Sequence, residues 1–282
     1  MVLPTEVRDG VRYAELGPPT TLNRSFLLLH GLGGSLDFWC AIAPALGKVD
    51  RTLAIDLPGF GQSKAPTGGL TLESVAGSII EFCQTMNVKN CTVVAHSLGG
   101  FIGLKVAAMD PGLCRRLILV DAAPVRAAMI LRKPTRAVRF PVLAATMAAQ
   151  FLAGIVPLRA GSARLIANSK ILRTLALWPF VAQPADLDPE ITACALSYTG
   201  GASTVVHAFR QSRQVELLTL LDDVPIPIDI VRGEQDNMNT AADVAVARKH
   251  ADVQRELVIK NCRHWPLIES PGTLTDFIRA EG

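Results

Sequence analysis

Short, wholly apolar runs recur along the chain, and most are followed by small or turn-forming residues and then by helical spacing. Ser25–His30, Leu53–Asp56, Val93–Ala95, Leu117–Asp121, Ile226–Arg232 and Glu256–Ile259 read as strands. Continuous apolarity, rather than alternation, marks strands covered on both faces. Between them, Ser35 can cap a helix through Leu46 with Phe38, Ile42 and Leu46 on one face. Thr71-Leu72-Glu73-Ser74 opens a second helix that runs to Met86, and Leu98–Met109 forms a third, stopped by Asp110-Pro111-Gly112. Two more are predicted over Thr240–His250 and Pro271–Ala280. Thr5–Arg8 and Val11–Leu16 flank Asp9-Gly10, a hairpin signal. Strands alternating with helices predict an α/β fold with a doubly wound, mostly parallel sheet. The alternation stops at Ala122 and resumes at Ile226, so a helical cap is expected to interrupt the sheet. The expected division is core over 1–123, cap over 124–222 and core again over 223–282.

One strand-to-helix junction carries candidate chemistry. Val93-Val94-Ala95-His96-Ser97-Leu98-Gly99-Gly100 ends a buried strand, turns at Ser97 and starts a helix. Ala95 and Gly99 leave room for a sharp turn that holds the hydroxyl outward. The plainer alternative is a serine spent on capping the helix. A serine nucleophile needs a base in hydrogen-bond reach and a carboxylate to orient that base. Of the five histidines, His30 is expected to hold an early loop, His96 to face the other side of the turn, His207 to lie in the cap and His250 to end a helix. His264 follows the last strand and opens at the same sheet edge as Ser97, which makes it the candidate base. Asp236, after the strand that closes the cap, is the candidate acid, with Asp121 and Glu234 as competitors. Gly31, Gly33 and Gly34 allow the Leu32 N–H to face a reacting carbonyl, and the Leu98 N–H at a helix start is a second oxyanion donor. Gly31, His96 and Trp265 are the expected substrate-binding neighbours.

These stretches resemble the α/β-hydrolase superfamily nearly end to end. His30-Gly31-Leu32-Gly33-Gly34 is similar to its oxyanion loop, and Asp56-Leu57-Pro58-Gly59-Phe60-Gly61-Gln62-Ser63 to its D-x-P-G-x-G-x-S loop. Ala95–Gly100, Gly233-Glu234-Gln235-Asp236 and His264-Trp265 are similar to its elbow, acid loop and terminal histidine loop. There are two departures. Arg263 stands where glycine is usual and is expected to put a charge at the entrance around the base. Asn237-Met238-Asn239-Thr240 lacks the usual proline. The resemblance implies a serine hydrolase that needs no metal or organic cofactor.

Composition adds one asymmetry. The chain's 282 residues carry a formal charge of +3, too small to argue for nucleic acid. Yet Ala122–Ala185 contains nine Lys and Arg and neither Asp nor Glu, so the basic charge is concentrated there. Within it, Phe140–Leu158 is uncharged, broken by Pro141, Gly154 and Pro157. Three readings stand: helices lining an acyl pocket with their arginines solvated outside, a lid lying on an anionic membrane surface, or a membrane span. The cations also suit an anionic or carrier-bound substrate. Six scattered cysteines predict buried free thiols, and Met1–Arg12 has no apolar signal core, so a cytoplasmic, membrane-associable protein is expected. The leading function is cleavage of an apolar carboxylic ester, a small-molecule acyl substrate. Thioesterase, carbon–carbon hydrolysis of a diketo acid, and a non-catalytic binding protein on the same fold are the alternatives.

Overall fold

The computed structural model describes residues 2–18, 25–122 and 125–280. It contains one eight-stranded sheet: β1 (Glu6–Arg8), β2 (Val11–Leu16), β3 (Ser25–Leu29), β4 (Arg51–Ile55), β5 (Cys91–His96), β6 (Cys114–Val120), β7 (Ile228–Gly233) and β8 (Val253–Ile259). Their spatial order is β1-β2-β4-β3-β5-β6-β7-β8. The β1–β2 hairpin and the β2–β4 pair are antiparallel, and every other pair is parallel. The helices are α1 (Ala43–Leu46), α2 (Leu72–Thr85), α3 (Leu98–Met109), α4 (Val125–Arg132), α5 (Pro141–Ile155), α6 (Ala160–Asn168), α7 (Lys170–Leu177), α8 (Pro189–Ala195), α9 (Ala202–Ser212), α10 (Leu217–Asp222), α11 (Ala241–Ala247), α12 (Pro266–Glu269) and α13 (Pro271–Arg279). Helices α4–α10 all fall between β6 and β7, where the cap is expected. The expected boundary at 123/124 lies outside the described residues, as do both chain ends.

The apolar runs became strands because both faces are covered. In β3, Leu27 and Leu29 enter one hydrophobic core while Phe26 and Leu28 enter the other; in β5, Val93 and Ala95 divide from Val94 in the same way. The helix expected from Ser35 to Leu46 is instead a 3₁₀ turn over Leu36–Trp39 followed by the single α turn α1. Pro44 has no N–H and would break a continuous helix through this stretch. Asp37 is also drawn inward, where Arg12 Nη1 donates to its carboxylate at 3.2 Å. All six cysteines are free and buried. No helix among the described residues is long and apolar enough to cross a membrane.

Arg12 sits between two buried carboxylates, at 3.2 Å from both Asp37 and Asp56. Asp56 also accepts the N–H of Leu36 at 2.7 Å and of Gln62 at 2.8 Å. The group joins β2, the end of β4 and the turn after β3, and the Arg12 guanidinium also lies 5.6 Å from the Tyr198 ring centre in the helical segment. Burial pushes the Asp37 carboxyl up even with Arg12 beside it. Removing one partner of such a group strands uncompensated charge. Arg12→Met should therefore cost about 3–5 kcal/mol at neutral pH in denaturant unfolding. The loss should shrink as pH falls toward about 4, where the unfolded chain's carboxyls also take up protons.

Candidate active site

Ser97 follows the last residue of β5 and precedes α3 with φ +52° and ψ −117°. A non-glycine residue held there costs on the order of 1–3 kcal/mol and persists only when its surroundings impose it. They do: the Ser97 N–H donates to Val120 O at 3.1 Å, and the Gly100 N–H donates to Ser97 O at 2.9 Å. At Gly99 a Cβ would lie 2.6 Å from His30 O and 2.7 Å from Leu29 O, so only glycine lets α3 start this close to β3. The Ser97 hydroxyl makes no capping bond, so the plainer alternative fails. Its Oγ instead lies 3.0 Å from His264 Nε2.

His264 is buried and joined to Asp236, its Nδ1 lying 2.8 Å from Asp236 Oδ2. With that carboxylate ionised, Nδ1 carries the proton and donates it, leaving Nε2 to accept from the Ser97 hydroxyl. Burial alone would raise the Asp236 carboxyl. The charge and hydrogen bond of His264, a bond from Asp121 and the Met238 N–H at 2.8 Å outweigh it and hold the group below its ordinary value. The His264 N–H donates to Phe180 O at 2.9 Å, so the segment between β6 and β7 also fixes the histidine loop.

Asp121 competes with Asp236 in sequence but stands behind it in space. It has φ +46° and accepts the Gly233 N–H on both oxygens, at 3.1 and 3.3 Å. Asp121, Asp236 and His264 each offer a ligand atom within 4.8 Å of the others. These are also cation-ligating residue types, but their bonds already run to one another and to the backbone. Burial, then the Asp236 charge, pushes the Asp121 carboxyl well up. The pair shares a proton, with Asp121 the protonated member. Glu234, the weaker competitor, receives the Asn261 N–H at 3.3 Å outside this cluster.

His96 is wholly buried, and its Nε2–H donates to the His264 carbonyl at 2.8 Å. Burial, then the neighbouring His264, drives its pKa down to about 3, so it is neutral. Among the described residues its Nδ1 has no hydrogen-bond partner. His30 holds two loops: Nδ1 donates to Gly31 O at 2.8 Å, and Nε2 accepts the Leu57 N–H at 3.0 Å.

Two cavities flank the serine. One, of about 870 Å³, is lined by Gly31, Leu32, His96 and Trp265 together with apolar residues of α5–α7. The other, of about 560 Å³, is lined by Ser97, Leu98 and residues of α4, α5 and α9. Leu32 and Gln150 belong to both, and among the described residues neither is lined by a charged side chain. Leu98 is the first residue of α3, where a helix's N–H groups lack intrahelical acceptors. Trp265 stacks on Phe180 at 5.1 Å and meets Phe38 edge-on at 5.2 Å.

Arg263 does not charge the entrance around the base, contrary to expectation. Its guanidinium turns outward, donating to Trp178 O and lying 5.9 Å from the Trp178 ring centre. Asn237, the first residue of the proline-free stretch after Asp236, donates from Nδ2 to Thr146 Oγ1 on α5 at 2.9 Å. Sequence reasoning passed over Gln150 and Phe180. Gln150 had a signal, because it and Thr146 are the only polar side chains in the uncharged run Phe140–Leu158. Phe180 had none, since its backbone carbonyl does the work.

A family model described as the alpha/beta hydrolase fold matches residues 24–271. An uncharacterized protein of Mycobacterium tuberculosis is 26% identical over 278 residues, covering 96% of this chain and 77% of that protein. A relative from Stutzerimonas stutzeri that bears a provisional carbamate hydrolase name is 34% identical over 99 residues, 35% of this chain and 37% of its own. Among solved structures, a meta-cleavage product hydrolase from Pseudomonas fluorescens superposes with a TM-score of 0.67 at 19% identity, covering 95% of this chain and 92% of its own.

The shared proton has a thermodynamic consequence. A carboxyl whose folded pKa is raised binds a proton that the unfolded chain releases, so it opposes folding increasingly as pH rises. Asp121→Asn keeps a donor toward Asp236 and an acceptor for Gly233 without that cost. Thermal melts should show the variant more stable than the parent at about pH 8, with the difference closing by about pH 4, near the unfolded carboxyl pKa. A variant less stable at both pH values would refute the neutral assignment of Asp121.

Proposed function

Because the chain belongs to the α/β-hydrolase fold family and is a hydrolase, we propose that it cleaves an apolar carboxylic ester through an acyl-enzyme on Ser97. The observation that carries this reading is the unbroken chain of bonds from Ser97 Oγ through His264 to Asp236, beside two uncharged cavities. As Ser97 Oγ attacks the ester carbonyl, its proton passes to His264 Nε2. The imidazolium so formed faces the Asp236 carboxylate, which stabilises it and keeps the ring in place. The tetrahedral oxyanion takes hydrogen bonds from the Leu32 and Leu98 N–H groups, each donor worth about 3 kcal/mol in the transition state. Collapse breaks the carbon–oxygen bond, and His264 returns its proton to the departing alcohol. Water then repeats the sequence on the acyl-enzyme and restores Ser97.

The uncharged linings support a neutral substrate over a diketo acid, whose carboxylate would enter without a cation to meet it. The α5–α7 wall supports an apolar acyl or alcohol group, with Gly31, His96 and Trp265 as the side nearest the reacting carbon. In this reading helices α4–α10 act as the lid, and neither a metal nor an organic cofactor takes part. Thioesters fit the same chemistry, but no feature of the cavities favours them.

A fluorophosphonate probe should label the folded protein stoichiometrically and leave Ser97→Ala unlabelled; an unlabelled parent beside a reactive control hydrolase would sink the proposal. On p-nitrophenyl esters of graded chain length, Asp236→Asn should lower kcat by about 10⁴-fold through loss of the correct histidine tautomer. Asp121→Asn should stay within about tenfold of the parent, because it leaves the Asp236–His264 bond in place. If the two variants exchange these outcomes, the acid is Asp121. Turnover of a diketo acid with none of any ester would transfer the reaction to carbon–carbon cleavage.

A further inference from the structure

Helix α7 is built inside out. Its one internal cation, Arg173, is 3% exposed, while Ile171 is 72% and Leu175 70% exposed. Each of the three Arg173 guanidinium nitrogens donates to a backbone carbonyl: Ala167 O, Pro184 O at 3.0 Å and Ala185 O at 2.6 Å. It is therefore a structural staple within the segment. Leu177 also faces inward at 3% exposed, but the remaining large apolar side chains form an outward stripe. Ile171, Leu175 and Trp178 follow the i, i+4, i+7 spacing of a single helix face, and Leu165 on α6 is 66% exposed. Trp178 is 58% exposed.

A stripe of this kind in water costs free energy that its sequence makes no attempt to avoid. Its surroundings say what covers it. Arg159, Arg164 and Lys170 flank these helices, are exposed, and form no ion pair among the described residues. No Asp or Glu occurs from Ala122 to Ala185; the acidic side chains on the elements packed against α6 and α7 are Asp186, Asp188 at the cap of α8 and Glu190 in its first turn. Two copies meeting through this face would bring cation against cation. Long aliphatic residues with an interfacial tryptophan and flanking lysine and arginine are instead the composition of a helix lying in a lipid headgroup layer.

We propose that the α6–α7 face docks on an anionic bilayer surface. Ile171, Leu175, Trp178 and Leu165 enter the headgroup region, and Arg159, Arg164 and Lys170 meet lipid phosphates at its edge. The inner sides of the same helices, through Ile166, Ala176 and Leu177, line the 870 Å³ cavity. Docking thus places the wall of that cavity against the lipid phase. The interaction surface does not depend on the ester reading.

The test is co-sedimentation of the full chain with vesicles of phosphatidylcholine alone and of phosphatidylcholine with phosphatidylglycerol. Binding should require the anionic lipid, weaken with added salt and shift the Trp178 fluorescence to the blue. Ile171→Ser/Leu175→Ser, two substitutions at exposed positions, should weaken partitioning on the order of tenfold or more with an unchanged melting temperature. Arg164→Ala/Lys170→Ala should reduce it with a shallower salt dependence. Absence of binding to either vesicle, binding that Ile171→Ser/Leu175→Ser leaves intact, or a stable dimer that this variant dissolves would each overturn the proposal. The last outcome would assign the face to a second copy of the chain.

Discussion

The parallel register of β5, β6, β7 and β8 is the constraint on which the site depends. Ala95 stands beside Leu119, Leu119 beside Ile230 and Ile230 beside Glu256, so four strands end at one edge in step. Ser97, Asp121, Asp236 and His264 leave that edge from loops only a few residues long. Neighbouring strands lie ~4.8 Å apart, which is why side chains distant in sequence meet at hydrogen-bond range. Short loops leave little freedom to lose: the Val120 carbonyl of one strand holds the Ser97 N–H at the end of the next. A one-residue slip between β5 and β6 would release the turn and reverse the faces of every side chain on the strand.

The second constraint is charge. Asp121 and Asp236 are buried close together with the half-buried Glu269 nearby, and among the described residues no lysine or arginine side chain is bonded to any of the three. Two full negative charges on the touching pair Asp121 and Asp236 would repel in so dry a place, and the hydrogen bonds decide which of the two carries the charge. Glu269 spends its oxygens on the N–H groups of Ala182 (2.7 Å) and Arg263 (2.9 Å). Asp121 keeps its proton. Asp236 is left ionised, facing the His264 ring at 2.8 Å.

How much of this could be read beforehand depended on which physics each residue answers to. The central strands were legible because burial on both faces forces an apolar run, and the order Ser97, Asp236, His264 follows from the order of those strands. The choice between Asp121 and Asp236 was only half legible. They end adjacent strands, and what separates them is the positive φ that turns Asp121 onto the Gly233 N–H, which no pattern of side chains announces. The helix after Ser35 was misread because amphipathic spacing hid the effects of Pro44 and of Arg12's hold on Asp37. The departures at Arg263 and Asn237 were visible as letters, but their use was not: both tie a loop of the sheet edge to the segment between β6 and β7. The expectation of solvated arginines failed at Arg173, where neighbouring carbonyls rather than periodicity set the direction of the side chain.

One contact ties that segment to the chemistry. The Gly200 N–H donates to Gly33 O at 2.7 Å, in the turn that carries Leu32, and a Cβ on Gly33 would stand 3.0 Å from Gly154 Cα on α5. The helices above the sheet are thus part of the frame that holds the Leu32 turn, the turn to which the proposed mechanism gives an oxyanion donor. For protein engineering this limits modularity. On the proposed mechanism, helices exchanged from another chain to alter substrate choice would change the aim of the Leu32 amide along with the shape of the cavity, so selectivity and rate would be inherited together.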